Sequence, residues 1–194
     1  MQYILLTAAW AIFGLLHSLF AYSRFKQAIQ AVMKYRYKYY RLFYSLFATI
    51  NLGVIVWFHF SINSIVLWQN TVVEKTAAVL LAIPAFVVMG ISIKKYFLNL
   101  SGIEVLLNRP AANACLQQTG LHKFMRHPLY TGTIALVWCV FLWQPTLSNI
   151  ISATCITLYT RIGIYYEEKK LVQEFGDEYI AYSKKTAMLI PGFK

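Results

Sequence analysis

From Tyr3 to Tyr22 the chain runs without a charged side chain, and further apolar runs follow at about 42–62, 76–93, 129–143 and 147–166. A helix needs about 20 mostly apolar residues to cross the hydrocarbon core, where every backbone polar group must find its partner inside the helix. The runs therefore predict an all-α integral membrane protein with five transmembrane helices, forming a single membrane domain over residues 1–194. Composition agrees, since 59% of the residues are hydrophobic and 13% are charged, where a soluble domain carries about 25% charged residues.

The formal charge of +11 is not spread evenly. Arg24, Lys26, Lys34, Arg36, Lys38 and Arg41 fill the first gap without an acidic residue, Lys94 and Lys95 follow the third run, and the segment 167–194 is again rich in lysine. Cytoplasmic flanks carry such an excess. Five spans put the basic segments 24–41, 94–126 and 167–194 on one side, with the N-terminus outside and the C-terminus cytoplasmic; four or six spans would put one of them outside. Basic residues confined to gaps between apolar runs also argue against a nucleic-acid partner. The N-terminus lacks the basic start of a signal peptide, so the first run is expected to stay as a span. Cys115, Cys139 and Cys155 have no Cys-x-x-Cys spacing, and the scattered histidines offer no ligand cluster, so neither a disulfide framework nor a metal is expected.

Finer signals divide the chain further. Trp57, Trp68, Tyr39, Tyr40 and Tyr44 suit the two interfaces of the second span. Pro84 interrupts the third span and is expected to kink it. Between 96 and 125, Ser101-Gly102, Asn108-Arg109-Pro110 and Thr119-Gly120 predict irregular structure with at most a short helix. Gln144-Pro145-Thr146 leaves room only for a tight external turn, so spans four and five form an antiparallel hairpin. Leu171, Val172, Phe175, Tyr179 and Ile180 recur near a spacing of 3.6, predicting an interfacial C-terminal helix with a bend at Gly176.

Polar chemistry concentrates at the hairpin's two ends. Pro128 fits the first turn of a helix, where its missing N–H costs nothing. Arg126 and His127 stand just before that start, which makes it an anion site able to hold a carboxylate or phosphate; the alternative is that they anchor the span at the headgroups. Glu167 and Glu168 follow the fifth span directly, where acids oppose the usual composition of the flank. An anion-binding helix start beside a carboxylate pair could hold a zwitterion. S-adenosyl-L-methionine has an ammonium and a carboxylate on its amino-acid end.

These residues resemble the isoprenylcysteine carboxyl methyltransferase and phospholipid methyltransferase superfamily. The match is Arg126-His127-Pro128-Leu129-Tyr130-Thr131-Gly132, about 35 residues of hairpin, then Glu167-Glu168, Leu171, Phe175-Gly176, Tyr179, Tyr182 and Leu189-Ile190-Pro191, within about the last 75 residues. The front of the chain resembles the NnrU, nurim and methanethiol S-methyltransferase group, through His17-Ser18 and Tyr40-Arg41-Leu42-Phe43-Tyr44. The resemblance implies a transferase that binds S-adenosyl-L-methionine in a cytoplasm-facing site, in the inner membrane if the source is bacterial. It passes a methyl group to a small or lipid-soluble acceptor. No Gly-x-Gly nucleotide loop occurs, in keeping with a site outside a Rossmann domain.

Carried over by position, the resemblance makes Arg126, His127, Pro128, Leu129, Tyr130, Glu167 and Glu168 cofactor contacts, with Leu116, Gln117 and His122 adding to the wall. Glu167, His127 and Arg161 are then the catalytic candidates. The superfamily's carboxyl methyltransferases usually have an arginine one turn before the first glutamate, and here that position is Gly163. Arg161, seven residues before Glu168 and so on its face, is a substitute; alternatively it snorkels to the interface. A thiol acceptor would need a base, from His127, His17 or Glu167, whereas a carboxylate would not. His59, near the external end of span two, and His17, on span one, also read as packing histidines. The rival reading is a non-catalytic NnrU or nurim-like protein with an envelope or respiratory-assembly role. A transporter is disfavoured, because His17 is the one ionisable candidate at midplane depth.

Overall fold

The computed structural model describes residues 1–107 and 115–192, and the Asn108-Arg109-Pro110 signal lies outside them. The helices are α1 (Gln2–Ala21), α2 (Ser23–Met33), α3 (Tyr40–Ser61), α4 (Val72–Ser101), α5 (Pro128–Trp143) and α6 (Leu147–Lys185), with short 3-10 turns at Lys34–Tyr39, Ile103–Val105 and Gly120–Lys123. No strand occurs among the described residues beyond two isolated bridges. Gln2–Ala21, Ser23–Ser61 and Val72–Phe97 are long and apolar enough to cross a membrane, and Pro128–Trp143 is a shorter apolar helix. Ile4, Leu15, Trp57, Phe60 and Val72 leave more than two thirds of their surface uncovered. Such side chains are stable in lipid, not in water. The chain is a helical membrane protein.

The structure redraws three of the expected elements. The basic gap after the first span folds as α2 and a 3-10 turn. α4 continues through Pro84 and past Lys94-Lys95 to Ser101, taking the start of the expected irregular stretch. The fifth span runs on past Tyr166 as α6, and a second helical stretch to Lys185 follows the break at Gly176, where φ 54° and ψ −129° leave the helical dihedrals at the expected bend. A side chain would be strained in that conformation.

Two compact units make up the chain, Met1–Ser64 with Tyr96–Ala112, and Ile65–Lys95 with Asn113–Lys194. In the first, α1 packs on α3 through an aromatic row in which His17 lies between Phe13 and Tyr44, with ring centroids 5.7 and 5.2 Å away. Tyr40 donates to the Phe20 carbonyl at 2.8 Å and Tyr44 to that of His17 at 3.3 Å. Gly102, at φ +75°, abuts this unit so closely that a Cβ would sit 2.6 Å from the Leu42 nitrogen.

In the second unit α5 and α6 form the expected hairpin. Thr146 caps α6 by accepting the Asn149 N–H, while Asn149 Nδ2 donates to the Gln144 carbonyl at 2.7 Å. Trp138 Nε1 donates to Thr157 Oγ1 at 3.0 Å between the helices. The turn is itself held, since Leu67 N–H donates to the Pro145 carbonyl and Leu147 N–H to that of Ile65. Gly132 lets α5 approach α4, for a Cβ there would meet Ala85 O and Met89 N at 3.0 Å. These contacts fix where the other end of the hairpin falls.

Candidate active site

That other end holds an ionic cluster. Proline at its first position starts α5 where the sequence places it, and His127 is the residue before the helix. The Gly176 break turns the last stretch of α6 back, so that Met125 bridges Ala187 in parallel, Arg126 N–H donates to the Ala187 carbonyl at 2.8 Å and His127 N–H to that of Met188 at 3.2 Å. Thr131 Oγ1 adds a bond to the Leu189 carbonyl at 2.9 Å. The start of α5 is thereby sewn to the segment after α6.

Arg126 fills the angle between them. Its Nε and Nη2 each lie 2.7 Å from Glu168 Oε1, and Nη1 donates to the carbonyls of Ser183 at 3.0 Å and Thr186 at 2.6 Å. The guanidinium expected to meet an external anion is therefore balanced from within the chain. His127, 5% exposed, approaches the same Glu168 oxygen through Nε2 at 3.2 Å and stacks on Tyr130. Burial pushes the Glu168 carboxyl up, but hydrogen bonds from His127 and Arg126, with the Arg126 charge, outweigh it and hold the group at about 2. Glu167 differs from its neighbour. It keeps 43% of its side chain exposed and comes only to 3.8 Å from His127 Nδ1, beyond hydrogen-bond length.

The remaining candidates fall around this centre to different degrees. His122 places Nδ1 3.1 Å from the Arg126 carbonyl, and its own carbonyl accepts from Tyr182 Oη at 2.6 Å. Burial, then the charge of Lys95, pushes its imidazole below the ordinary value. Gln117 accepts from Lys95 Nζ at 2.8 Å, Leu116 is half-buried, and Pro128 is buried beside the half-buried Leu129 and Tyr130. Arg161 is exposed and contacts Met188 Sδ at 2.9 Å, which brings it to the segment that His127 N–H holds. A side chain at Gly163 would meet nothing within 4 Å. His17 belongs to the first unit, and His59 lies in the last turn of α3 against Phe60.

Tyr179 is the participant that sequence reasoning did not single out. It is 2% exposed, and its hydroxyl has no hydrogen-bond partner among the described residues although Glu168 and Arg126 are close enough to act on it. Burial, and then the Glu168 charge, raises the phenol well above its ordinary value, so it stays a neutral donor. Its place in the Phe175-Gly176-x-x-Tyr179 pattern was visible, but its periodicity read equally as packing.

The donor set suits the amino-acid end of a sulfonium cofactor. A half-exposed carboxylate at Glu167 can face an ammonium, and a helix start can face a carboxylate. The orphaned Tyr179 hydroxyl marks a polar contact still to be satisfied beside them.

Fold and cluster together define a helical membrane protein with an ionic site at the start of a short apolar hairpin. The chain belongs to the NnrU protein family, whose model matches residues 5–191. It is 30% identical, over 93% of its length and 64% of the relative's, to methanethiol S-methyltransferase 1 of Bradyrhizobium diazoefficiens. Against methanethiol S-methyltransferase of Pseudomonas deceptionensis the identity is 29%, over 94% of this chain and 70% of that one. The enzyme of that name from Mycobacterium tuberculosis matches at 26% over 43% of this chain and 33% of its own. The chain spans 64% and 70% of the length of the Bradyrhizobium and Pseudomonas relatives. No solved structure matches the chain.

Proposed function

We propose that the chain is a membrane-embedded methyltransferase that uses S-adenosyl-L-methionine and methylates a small or lipid-soluble acceptor, with a small thiol the first choice among thiol, carboxylate and amine. The reading includes five spans in one membrane domain, an outside N-terminus and a site facing the cytoplasm, in the inner membrane if the source is bacterial. What carries it is the division of labour between adjacent glutamates, with Glu168 locked by Arg126 and Glu167 left at 43% exposure beside the buried His127. Similarity to the methanethiol S-methyltransferases supports the thiol.

When bound, the cofactor supplies a methyl group on a positively charged sulfur. Glu167 would face its ammonium, and the first turn of α5 at Leu129 and Tyr130 its carboxylate, with Leu116, Gln117 and His122 walling the site. Glu168 and Arg126 would act at one remove by fixing His127. A thiol must lose its proton to become the nucleophile, and His127, whose Nδ1 lies 3.8 Å from Glu167, would take it. Attack of a thiolate on a cation removes two charges, so a site poor in water favours it. Arg161 would hold a charged acceptor.

Purified full-length protein should bind the cofactor by calorimetry and convert methanethiol to dimethyl sulfide, read by headspace chromatography. Glu167→Gln should weaken binding about 10- to 100-fold, the equivalent of about 1.5–3 kcal/mol for a hydrogen bond to a charged group. Absence of binding, with Glu167→Gln indistinguishable from wild type, would refute the proposal. The open space at Gly163 favours a second reading, a non-catalytic family member with an envelope or respiratory-assembly role. Binding without turnover of thiols, prenylcysteines or amino-lipids would establish that one.

A further inference from the structure

Residues 23–41 carry six cations and no acid, and the first acidic residue in the chain is Glu74. On α2, Phe25, Ala28, Ile29, Val32 and Met33 share one arc while Ser23, Lys26, Gln27 and Gln30 occupy the other. None of the 11 residues of α2 is buried, and Val32 is 79% exposed. A lone helix of that length is marginal in water. Its apolar arc therefore needs a non-aqueous surface, and the helix is tethered between α1, long and apolar enough to span a bilayer, and α3, whose 22 residues suffice to cross one.

The charges point the same way. Arg24, Lys34, Arg36, Lys38 and Arg41 are exposed and make no ion pair among the described residues. Lys38 Nζ donates to Tyr35 Oη at 2.7 Å and lies 4.3 and 5.0 Å from the ring centroids of Tyr35 and Tyr39. Lys34 is the described non-glycine residue with positive φ, at φ 47° and ψ −117°. Glycine would occupy that conformation without strain, so a lysine there costs backbone energy while adding charge.

We infer that α2 and the 3-10 turn after it form an in-plane element that binds the anionic phospholipid headgroups of one leaflet. Lys34, Arg36 and Lys38 meet the phosphates, and the Phe25–Val32 arc enters the acyl boundary. A nucleic acid or acidic peptide would satisfy the cations but leave Val32, 79% exposed, in water. This inference does not depend on the methyltransferase reading.

The test uses full-length protein in nanodiscs of phosphatidylcholine with or without phosphatidylglycerol, reading retained lipid by native mass spectrometry and the thermal midpoint. Phosphatidylglycerol should be retained in preference and raise the midpoint, and salt should erode the gain as the screening length falls from about 10 Å at 0.1 M to 3 Å at 1 M. Lys34→Gln/Arg36→Gln/Lys38→Gln should lower the preference about 100-fold, and Lys34→Gly alone about fivefold. Lys34→Gly should also raise the midpoint in pure phosphatidylcholine, which separates lost lipid binding from lost folding. Equal retention of both lipids, an undiminished preference in either variant, or equal stabilisation by soluble glycerol phosphate would overturn the inference.

Discussion

Replacing Arg126 by methionine tests the ionic cluster directly. The guanidinium is 10% exposed and holds Glu168 and two carbonyls, of Ser183 and Thr186. Glu168 is held at about 2 against an ordinary value of 4.5, a displacement equivalent to about 3 kcal/mol at 1.4 kcal/mol per pH unit. His127 supplies part of that depression and solvent reaches 22% of the carboxylate, so the share that Arg126 carries is about 2 kcal/mol. Two carbonyls losing a charged donor raise the total to about 3 kcal/mol. For a chain of this size that is about 6–12 °C in thermal midpoint at pH 7. The sign with pH is set by the depressed carboxyl: its contribution is full above 4.5 and is lost as pH falls from 4.5 towards 2. Wild type should therefore lose about 2 kcal/mol across that window relative to Arg126→Met/Glu168→Gln. Purified protein in detergent, melted by circular dichroism at successive pH values, supplies both readings. A single variant within about 2 °C of wild type at pH 7 would refute the reasoning, as would parallel pH curves for wild type and double variant.

Gly176→Ala should cost about 1–3 kcal/mol through backbone strain alone, since its Cβ would enter open space, and limited proteolysis should cut first in the loosened 177–192 segment. At Gly132 the expected cost of alanine is similar, about 1–3 kcal/mol, but its origin is overpacking against the Ala85 carbonyl and the Met89 N and Cβ, so Met89→Ala in the same chain, which keeps those atoms, should not recover the midpoint. Thr146→Ala removes the cap of α6 and should lower stability by about 1 kcal/mol, whereas Thr146→Ser should stay near wild type in the same melts.

Local features of the fold were legible because their cause is local. The apolar runs, Pro128 at a helix start, the tight turn at Gln144-Pro145-Thr146 and the bend at Gly176 depend on side-chain hydropathy or on backbone freedom over a few residues, and each appears where the sequence places it. α2 escaped notice because its short apolar arc lies in a basic segment between two long apolar runs, and α4 ran past Lys94-Lys95 because two lysines at a helix end do not stop it. The residues of the candidate site were legible as types. Their pairing was not, because Arg126 and Glu168 are 42 positions apart and meet only when the hairpin closes.

The sequence by itself determined that this chain is a helical membrane protein with polar chemistry at both ends of one apolar hairpin, since burial in lipid is decided residue by residue along a span. Only the tertiary structure decided which charges cancel. It spent Arg126 on Glu168, kept Glu167 half-exposed beside a buried histidine and left the Tyr179 hydroxyl without a hydrogen-bond partner among the described residues. Those outcomes depend on distances between 2.7 and 3.8 Å across segments that no spacing rule connects.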